Sequence, residues 1–328
     1  MKCHARWAVM GLLLLAGFGA PAAQPEAAKK EKPMDPVAAH TSDWRTLTPE
    51  EAAVIVHKVT ERPGTGRYEK LKAPGTYVCR RCQAALYRAE DKLDAGCGWP
   101  SFDAEVSGAV RRQIDADGDR TEISCATCGG HLGHVFTGEQ LSARDTRHCV
   151  NSISLDFVPL ADSSNRFERA IFAGGCFWGV QSLLQEGRGV IRTRVGYSGG
   201  HTEHPTYEKV CTHTTGHAEA VEVIFDPRQT SFENLARLFF EIHDPTQVDR
   251  QGPDVGDSYR SVVFYTSEKQ KAITARLIGE LRKKKLDVAT QVVPATTFWQ
   301  AEEYHQDYYR KTGKHPYCHR RVERFDKP

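Results

Sequence analysis

Methionine is almost absent from this chain of 328 residues, which contains only three. Met1, Met10 and Met34 all lie near the N-terminus, so the rest of the sequence offers oxidants no thioether, which fits a protein that works among oxidants. An excess of charge of one sign is also lacking. The 44 basic side chains are balanced by 42 acidic ones, and no basic stripe is interleaved with aromatic residues. This balance argues against nucleic acid as a partner.

Long hydrophobic runs are lacking after the first twenty or so residues. The run from Trp7 to Ala20 follows Lys2 and Arg6 and is too short to span a bilayer, which is typical of a cleaved secretory signal. Ala20-Pro21-Ala22 supplies a cleavage pattern, so we predict a signal peptide over residues 1–23, with an uncleaved N-terminal anchor as the alternative. Either way we expect an exported protein, periplasmic or otherwise extracytoplasmic, with no stable membrane insertion after cleavage.

The remaining chain, roughly 300 residues long, is the size of two domains. Residues 24–42 are rich in Ala, Pro and Lys without periodicity, which predicts a flexible tether. Residues 43–160 contain a capped helix signal at Thr48-Pro49-Glu50-Glu51 and then short apolar runs split by Gly, Pro and Asp, so this first domain is predicted to be mostly β with antiparallel strands. The polar stretch 161–166 predicts a linker, and residues 167–328 a second domain.

The first domain contains two C-x-x-C pairs separated by 42 residues. The four thiols of Cys79, Cys82, Cys125 and Cys128 match the tetrahedral preference of Zn²⁺, so we predict a structural zinc site that joins distant loops. Structural disulfides are the alternative in an oxidising compartment, but a C-x-x-C disulfide is strained and easily reduced. A closed Cys₄ site has no open position for a substrate, so the metal is expected to stabilise the fold only.

A further cysteine of the first domain lies on a predicted strand. Residues 149–157 alternate polar and apolar side chains, which predicts a strand with Cys149 on its apolar face. The alternation of side chains along the candidate strand 132–136 predicts that His134 also faces inward. A cysteine and a histidine that face the same way can act as nucleophile and acid, whereas the alternative is an inert buried cysteine. The turn-rich loop 97–102 adds another thiol and an indole.

Three motifs in this domain are distinctive, namely Cys97-Gly-Trp-Pro-Ser-Phe102, Gly130-His-Leu-Gly-His-Val-Phe136 and Arg147-His-Cys-Val-Asn-Ser152. With the paired C-x-x-C knuckles they resemble methionine sulfoxide reductase B over about residues 44–160. The resemblance implies Cys149 as the nucleophile on the sulfoxide sulfur and Cys97 as the resolving thiol. It also implies that Trp99 forms a wall for the substrate methyl group. The polar groups that it implies around the sulfoxide oxygen are His131, His134 and Asn151.

Two neighbours of the nucleophile carry separate expectations. Arg147 flanks Cys149 and is expected to favour its thiolate. His148 stands where the family often has a tyrosine, and we expect this departure to change substrate binding more than chemistry.

In the second domain, Cys176 is predicted at a turn between a buried strand, residues 169–173, and a helix from about residue 179 to 186. Backbone N–H groups at a helix N-terminus favour a negative charge and lower the pKa of a thiol, so Cys176 is a candidate nucleophile. Phe177 and Trp178 can form an apolar pocket beside it. The alternative is a glycine-rich structural turn with a packed cysteine.

Residues 217–225 alternate as a strand that turns Glu219 toward apolar neighbours. Burial raises the pKa of a carboxyl group, so Glu219 is a candidate proton donor, whereas the alternative is a strand-end glutamate in a salt bridge. Tyr207 and Tyr259 lie in loop-like contexts, and their hydroxyls can complete an oxygen-binding cluster. Taken alone, each tyrosine is structural.

Four motifs of this domain are Gly174-Gly-Cys-Phe-Trp-Gly179, Pro205-Thr-Tyr207, Thr215-Gly-His-Ala-Glu-Ala-Val221 and Asp254-Val-Gly-Asp-Ser-Tyr-Arg-Ser261. They resemble methionine sulfoxide reductase A over about residues 167–324, which implies an α/β sandwich with a mixed sheet on a ferredoxin-like core. The resemblance implies Cys176 as nucleophile and Glu219 as acid. It assigns the sulfoxide oxygen to Tyr207, Tyr259 and Asp254, and the methyl cage to Phe177 and Trp178.

Two cysteines of the second domain remain. Cys318 is the only late thiol and lies in the tail Gly313-Lys-His-Pro-Tyr-Cys318, which makes it the resolving candidate if the tail reaches Cys176. Cys211 is expected to be a buried bystander.

The resemblances imply one reaction at two sites. A thiolate attacks the sulfoxide sulfur while an acid protonates the oxygen, which leaves methionine and a cysteine sulfenic acid, and the resolving thiol then forms a disulfide. One enzyme serves each epimer, so the R form is assigned to the first domain and the S form to the second, in oxidised proteins or free methionine. No thioredoxin-like domain is present in the sequence, so we expect an external thioredoxin-like reductant and no organic cofactor. The alternatives are an exported thiol-disulfide oxidoreductase and a zinc and disulfide binding scaffold.

Overall fold

The computed structural model describes residues 44–115 and 118–326, so the predicted signal peptide and tether lie outside the described residues. Within these residues, no helix is both long and apolar enough to cross a bilayer. All of them belong to one compact unit, which contains both predicted domains.

The first domain is mostly β, as predicted. Its helix and strands, in the part of the chain that the structure describes, are α1 (Pro49–Ile55), β1 (Gly75–Cys79), β2 (Ala85–Arg88), β3 (Lys92–Leu93), β4 (Ser101–Phe102), β5 (Val110–Ile114), β6 (Thr121–Cys125), β7 (His131–Thr137), β8 (Thr146–Val150) and β9 (Leu155–Pro159). One sheet has the order β2-β1-β9 and the other β3-β4-β8-β7-β6-β5, and the pairings within them are antiparallel.

Helix α1 begins at the predicted capping box. Thr48 Oγ1 accepts a hydrogen bond from Glu51 N at 3.2 Å, and Glu51 Oε2 accepts one from Thr48 N at 2.9 Å. Such a cap stabilises a helix by about 1 kcal/mol. The helix ends at Ile55, and Lys58 shortly after it adopts a left-handed φ of 61°. The Lys58 ammonium group reaches Glu122 Oε2 at 2.7 Å.

The prediction of a single strand over residues 149–157 is wrong. A 3₁₀ turn separates β8 from β9, and the two strands pair in different sheets. Two serines in this turn satisfy backbone groups with their side chains, which lets the ladder stop. Ser152 Oγ accepts a hydrogen bond from Tyr68 N, and Ser154 Oγ donates one to His131 O, both at 2.8 Å.

The second domain surrounds a mixed six-stranded sheet. Its described strands and helices are β10 (Glu168–Gly174), α2 (Phe177–Leu184), β11 (Val190–Ser198), α3 (Tyr207–Val210), β12 (Ala218–Phe225), α4 (Phe232–Ile242), β13 (Arg250–Gln251), β14 (Asp254–Val255), β15 (Ser261–Tyr265), α5 (Glu268–Lys283), β16 (Gln291–Pro294), β17 (Trp299–Gln300) and α6 (Tyr308–Thr312). The sheet order is β16-β15-β10-β12-β11-β17, and the β15–β16 pair is parallel. Strands β13 and β14 form a separate hairpin.

Alternation along β12 sorts its side chains to two faces of this sheet. Val221 and Val223 join the larger core, which also contains Phe239 of α4 and Leu277 of α5. Ala220 lies in the smaller cluster on the opposite face. Helix α2 begins two residues earlier than predicted, so the Cys-Phe-Trp-Gly motif forms its first turn rather than the loop before it.

The two domains are in direct contact through buried groups. Asp226, which is fully buried, accepts a hydrogen bond from Ala85 N at 2.8 Å, and Gln229 Nε2 donates one to Ala85 O at 2.8 Å. Ile191 of β11 joins the apolar core of the first domain. The stretch predicted as a linker lies in a 3₁₀ helix, Leu160–Asn165.

Candidate active sites and metal centre

Four residues of the first domain stand side by side on one face of the larger sheet. Ser101 on β4 pairs with Cys149 on β8, Cys149 pairs with His134 on β7, and His134 pairs with Glu122 on β6. Side chains at directly paired positions project to the same face, with Cβ atoms about 4.5 to 5.5 Å apart. The structure therefore brings together the cysteine and the histidine that the sequence singles out.

A β-bulge adds His131 to this row. The register between β6 and β7 shifts so that Leu132 is the extra residue, and His131 then faces the same side as His134 although three positions separate them. Their ring centroids lie 5.7 Å apart. Gly133, at a φ of 153°, allows β8 to approach, because a Cβ there would overlap the carbonyl oxygen of Cys149. The bulge is the reason that two histidines meet one cysteine.

Each imidazole of the row is held by a carboxylate. Glu122 Oε1 lies 2.7 Å from His131 Nδ1, and the other oxygen of Glu122 is bound by Lys58. Asp115 Oδ2 lies 2.9 Å from His134 Nε2. Burial lowers the pKa of His131 despite the opposing effect of Glu122, so its ring is neutral with Nδ1–H as the donor. Its Nε2 is a buried polar atom without a hydrogen-bond partner in the described structure.

The two thiols of this site are neighbours, with Cys149 Sγ 3.8 Å from Cys97 Sγ. Burial, followed by the charge and hydrogen bond of Cys97, raises the pKa of Cys149 to about 12 against the effect of Arg147. The pKa of Cys97 is lowered, although burial acts in the opposite direction. The hydrogen bond with Ser101 and the nearby Arg147 guanidinium are among the contacts that lower it. Arg147 donates to Cys97 Sγ at 3.7 Å and is fixed by Glu139, so it favours a thiolate on Cys97 before Cys149.

Trp99 and Asn151 are both anchored through Glu61. Trp99 Nε1 donates to Glu61 O at 3.0 Å, and Glu61 N donates to Asn151 Oδ1 at 2.9 Å. The Glu61 carboxylate accepts a hydrogen bond from Ser152 N at 2.6 Å. Asn151 Nδ2 donates to Leu132 O at 3.0 Å, so both ends of this amide bind the protein itself. Asn151 thereby ties to β7 the Glu61 segment, whose carbonyl oxygen binds the Trp99 indole.

The four cysteines of the C-x-x-C pairs converge, with all four sulfur atoms within 4.8 Å of one another. Cys79 Sγ lies 3.6 Å from Cys128 Sγ, and Cys82 Sγ lies 3.6 Å from Cys125 Sγ. Tetrahedral bonds of about 2.3 Å to zinc place sulfurs about 3.8 Å apart, so the donor set fits Zn²⁺. All four thiols are free, which does not fit the disulfide alternative. Because β1 and β6 belong to different sheets, an ion here would join the two sheets.

Cys176 of the second domain occupies the N-cap of α2 and is 6% exposed. Its pKa is raised, first by the hydrogen bond with Cys318 and then by burial and the charge of Glu219. The backbone N–H of Trp178, at the start of the helix, acts in the lowering direction but is outweighed. The prediction that the helix N-terminus lowers the pKa of this thiol is therefore wrong for the net shift, because burial and the second thiol dominate.

Glu219 is buried and lies beside the first turn of α2. Its Oε2 accepts a hydrogen bond from Phe177 N at 3.0 Å. Burial raises the pKa of Glu219 to about 8 despite this hydrogen bond. The ion-paired glutamate of this strand is Glu222, which projects to the opposite face and binds Arg169 and Arg194. Strand β12 thus separates a protonated acid in the core from a paired carboxylate on the other side.

Two tyrosines and one aspartate surround this acid. Burial, followed by the charge of Glu219, raises the pKa of both Tyr207 and Tyr259, which places both phenols near the carboxyl group. Asp254 acts on Glu219 electrostatically. Its two carboxylate oxygens accept hydrogen bonds from Tyr317 Oη at 2.9 and 2.8 Å, so Asp254 binds the C-terminal tail in this structure.

The aromatic residues beside Cys176 belong to a larger cluster. Trp178 stacks on Tyr308 with ring centroids 3.9 Å apart, and its Nε1 donates to His305 Nδ1 at 3.1 Å. Phe177 packs against His305 and Tyr197. These contacts fix both rings next to the thiol.

The tail after α6 brings Cys318 to Cys176, and their thiols interact directly. Cys318 Sγ also lies 3.0 Å from His319 Nδ1. The structure therefore places a candidate nucleophile beside its candidate resolving thiol in each domain.

Comparison with known proteins accounts for both halves of the chain. Residues 168–328 match the family model described as peptide methionine sulfoxide reductase, and residues 47–159 match the SelR domain. The peptide methionine sulfoxide reductase MsrA of Methanosarcina acetivorans is 54% identical over 149 residues, which cover 44% of this chain and 79% of that protein. The chain belongs to the peptide methionine sulfoxide reductases.

Two crystal structures of Mxr1 from Saccharomyces cerevisiae are similar to part of the chain. The reduced form has 31% sequence identity and a TM-score of 0.46, and the match covers 48% of this chain and 93% of Mxr1. The complex of Mxr1 with Trx2 has 24% identity and a TM-score of 0.35, with coverages of 48% and 91%.

The chain is therefore a methionine sulfoxide reductase B domain followed by a reductase A domain. It is an enzyme for both epimers of methionine sulfoxide, the R form in the N-terminal half and the S form in the C-terminal half.

The position of His148 in the reductase B domain gives no support to the expectation that this residue changes substrate binding. It faces away from Cys149 and is fully buried. Arg112 Nη2 lies 3.1 Å from its Nε2 and donates to it, while its Nδ1 lies 3.1 Å from Tyr87 Oη. Burial lowers the pKa of His148 to about 4, so the ring is neutral at physiological pH and joins strands β2, β5 and β8.

Cys211 of the reductase A domain is partly exposed rather than buried. It lies at the end of α3, where its side chain interacts with Tyr207 and contributes to the raised pKa of that phenol. The thiol is therefore a neighbour of the predicted oxygen-binding tyrosine.

Several residues that shape the reductase sites lie outside the predicted set. In the B domain, Glu61 gives no sequence signal because it lies in an irregular loop far from the motifs. In the A domain, His305 and Tyr308 follow the glycine motif by more than a hundred residues. His319 had a detectable signal, since a histidine directly follows the resolving candidate Cys318 in the sequence.

Proposed function

We propose that each domain reduces its epimer with the thiol pair that it contains, Cys149 with Cys97 and Cys176 with Cys318. The proposal rests on one observation, which is that both pairs are already in contact in the folded chain. A nucleophile that becomes a sulfenic acid then has its resolving thiol at hand.

In the reductase B domain, the substrate methyl group packs against Trp99, and the sulfoxide oxygen lies near His131 and His134. The proton of Cys149 passes to the Cys97 thiolate 3.8 Å away, which leaves Cys149 as the nucleophile. His131 Nε2 supports the assignment, because it is buried, its lone pair is unused, and it can accept a hydrogen bond from the oxygen once that oxygen carries a proton. Oxygen passes from the substrate sulfur to Cys149 and takes up a proton from solvent, so Cys149 becomes a sulfenic acid and methionine leaves.

In the reductase A domain, Cys176 attacks the sulfoxide sulfur and Glu219 donates the proton that the oxygen needs. A carboxyl group with a pKa of about 8 still holds its proton at neutral pH, which suits it to this task. Tyr207 and Tyr259 bind the oxygen, and Phe177 and Trp178 cage the methyl group. Asp254 becomes available to the substrate when Tyr317 leaves it.

Each turnover ends in a disulfide, and we propose that a thioredoxin-like protein reduces it. The exchange requires a thiolate from outside the chain, because both thiols of each pair are consumed. Substrates are methionine sulfoxide residues in proteins or free methionine sulfoxide.

The B domain uses Zn²⁺ as a structural ion held by Cys79, Cys82, Cys125 and Cys128. The ion supplies no chemistry to the reaction, because a Cys₄ site has no open coordination position.

We also propose that the chain is exported by its N-terminal signal and acts in the periplasm or another extracytoplasmic space. The core of the A domain is proposed to be ferredoxin-like, since β10, α2, β11, β12, α4 and β15 follow the order β-α-β-β-α-β.

Trapping of the sulfenic acids tests the assignment of the thiols. Pre-reduced Cys97→Ser and Cys318→Ser variants are mixed with the R or S epimer of a methionine sulfoxide peptide and a sulfenic acid reagent, and labelled peptides are identified by mass spectrometry. We expect label on Cys149 with the R epimer in the first variant and on Cys176 with the S epimer in the second. Label on any other cysteine, or methionine release without label, would contradict the assignment.

A further inference from the structure

His319 is a buried histidine with a defined tautomer that none of the steps above uses. Its Nε2 lies 2.8 Å from Gly174 O, and a carbonyl oxygen can only accept, so Nε2 carries a proton and donates. The lone pair of the neutral ring is therefore on Nδ1, which lies 3.0 Å from Cys318 Sγ. A thiol, an imidazole and a backbone carbonyl thus form a chain of hydrogen bonds.

The glycine motif around Cys176 leaves room for this ring. A Cβ at Gly179 would overlap His319 Nδ1, and one at Gly175 would lie 3.3 Å from His319 Nε2. The ring therefore rests on the turn that carries the nucleophile. Three residues after His319, Val322 N donates a hydrogen bond to Glu241 O at 2.7 Å, which holds this part of the tail on α4. The position of Cys318 beside Cys176 is thus fixed by a docked histidine.

We propose that His319 is the base that converts Cys318 into the attacking thiolate in the resolving step. The inference rests on the proposed function, in which Cys318 resolves a sulfenic acid on Cys176. In that step, Cys318 gives its proton to His319 Nδ1, and the thiolate attacks the sulfur of the sulfenic acid. The new S–S bond forms as the S–O bond breaks. The oxygen leaves as water after it takes up the proton, so one thiol and one sulfenic acid give one disulfide and one water.

The need for such a base follows from the state of Cys176 at this point. In the reduced pair, the hydrogen bond from Cys176 is the main cause that lowers the pKa of Cys318 to about 6, and His319 adds to it against the effect of burial. Once Cys176 is a sulfenic acid, its thiol no longer exists to donate that hydrogen bond. Of the two neighbours that lower the pKa of Cys318, His319 is then the one that can still stabilise a thiolate.

Other titratable groups near this pair are Cys176, Glu219, His243, Asp254, Tyr309 and Tyr317. Burial, the largest cause, lowers the pKa of His243 to about 3, so it stays neutral at physiological pH. Burial, the largest cause, raises the pKa of Glu219 to about 8, so this group is largely protonated in the native chain at pH 7, where the variant at position 319 is compared with it.

The test separates the two steps of the A domain in the full chain. Pre-reduced protein is mixed with one equivalent of the S-epimer peptide between pH 6 and 9. Methionine release and formation of the Cys176–Cys318 disulfide are followed separately by rapid quench and mass spectrometry. The variant His319→Gln keeps an amide N–H for Gly174 O but has no base. His315→Gln, which alters an exposed histidine of the same tail, is the matched control.

We expect the rate constant for disulfide formation by the native chain, separated from that for methionine release, to vary little between pH 7 and 9. In His319→Gln it should be about thirtyfold slower at pH 7, since a free thiol with a pKa of about 8.5 is only about 3% thiolate there. It should recover toward the native rate at pH 9, and His315→Gln should follow the native profile.

Equal rates and equal pH profiles for His319→Gln and the native chain would overturn the proposal. If His319→Gln does not fold, methionine release is lost as well, and the pH profile of the native chain then decides. A tenfold rise per pH unit in its rate of disulfide formation between pH 6 and 8 would show that Cys318 ionises without a base and would overturn the proposal. Absence of methionine release from the native chain would instead overturn the proposed function.

Discussion

At the scale of single residues, burial decides the protonation state of the groups near the A-domain nucleophile. Glu219 and Glu222 lie three positions apart on β12 and are equally buried, yet only Glu222 has arginine partners, so burial raises the pKa of Glu219 unopposed by a cation. A carboxyl group kept protonated by burial can donate at neutral pH, whereas a paired one cannot.

Replacement of this acid should abolish the proton donation. We expect Glu219→Gln to slow S-epimer reduction by about 10²- to 10⁴-fold, the usual contribution of a general acid. The native rate should fall as pH rises through about 8, because the donor form exists below that pKa. Single-turnover rates between pH 6 and 9 check both points. R-epimer reduction by the same variant is the control, and a native S-epimer rate that stays constant above pH 8 would contradict this role.

Sequence parity predicts such residues where a strand is regular. It turns Glu219 toward the core correctly because β12 runs without a break. It does not predict that His131 shares a face with His134, because the bulge at Leu132 changes the face on which the preceding residue of β7 lies. Tyr317 and His319 lie in the tail, whose docking depends on contacts with Asp254 and Gly174 that no local pattern encodes.

At the scale of elements, the four-cysteine cluster is linked to the B-domain site through the turn between β6 and β7. Cys125 ends β6, and Cys128 precedes His131 by three residues. The same hairpin carries Glu122 and both histidines. Displacement of this turn would therefore disturb the bulge that aligns the two imidazoles with Cys149.

Removal of the metal should affect one activity only. We expect chelation, or Cys125→Ser, to lower R-epimer reduction at least tenfold, because four clustered sulfur atoms lose the ion that holds them together. S-epimer reduction on the same sample is the internal control. Metal content by mass spectrometry and both epimer rates provide the measurement. Full R-epimer activity in protein shown to be free of metal would rule out the structural role.

The boundaries of helices and strands also show what the sequence can predict at this scale. The capping box fixes the start of α1 because its hydrogen bonds are local. The break between β8 and β9 escapes prediction, because the partners of Ser152 and Ser154 are Tyr68 and His131, which are distant in the sequence.

At the scale of the whole molecule, the two reductase domains share buried hydrogen bonds. Asp226 and Gln229 of the A domain bind the backbone N–H and C=O of Ala85 in the B domain. The sequence predicts two domains from length and motifs, but it contains no pattern that reports this contact. An unpaired buried amide costs about 1 to 3 kcal/mol, so the interface couples the stabilities of both halves.

Loss of this contact should destabilise both enzymes together. We expect Asp226→Ala to reduce the free energy of unfolding by about 1 to 3 kcal/mol, because Ala85 N is left without its partner. Thermal inactivation followed separately with the R and S epimers measures the effect on each half. Asp287→Ala, which changes an exposed aspartate, is the control. A shift in the S-epimer activity alone would show that the interface does not couple the domains.

Single-turnover reduction of the separate R and S epimers of a methionine sulfoxide peptide by the native chain, Cys149→Ser and Cys176→Ser decides whether the two sites are independent. We expect the first variant to lose only the R-epimer activity and the second only the S-epimer activity. Loss of both activities in one variant, or reduction of either epimer without its assigned cysteine, would contradict two independent stereospecific sites on one chain.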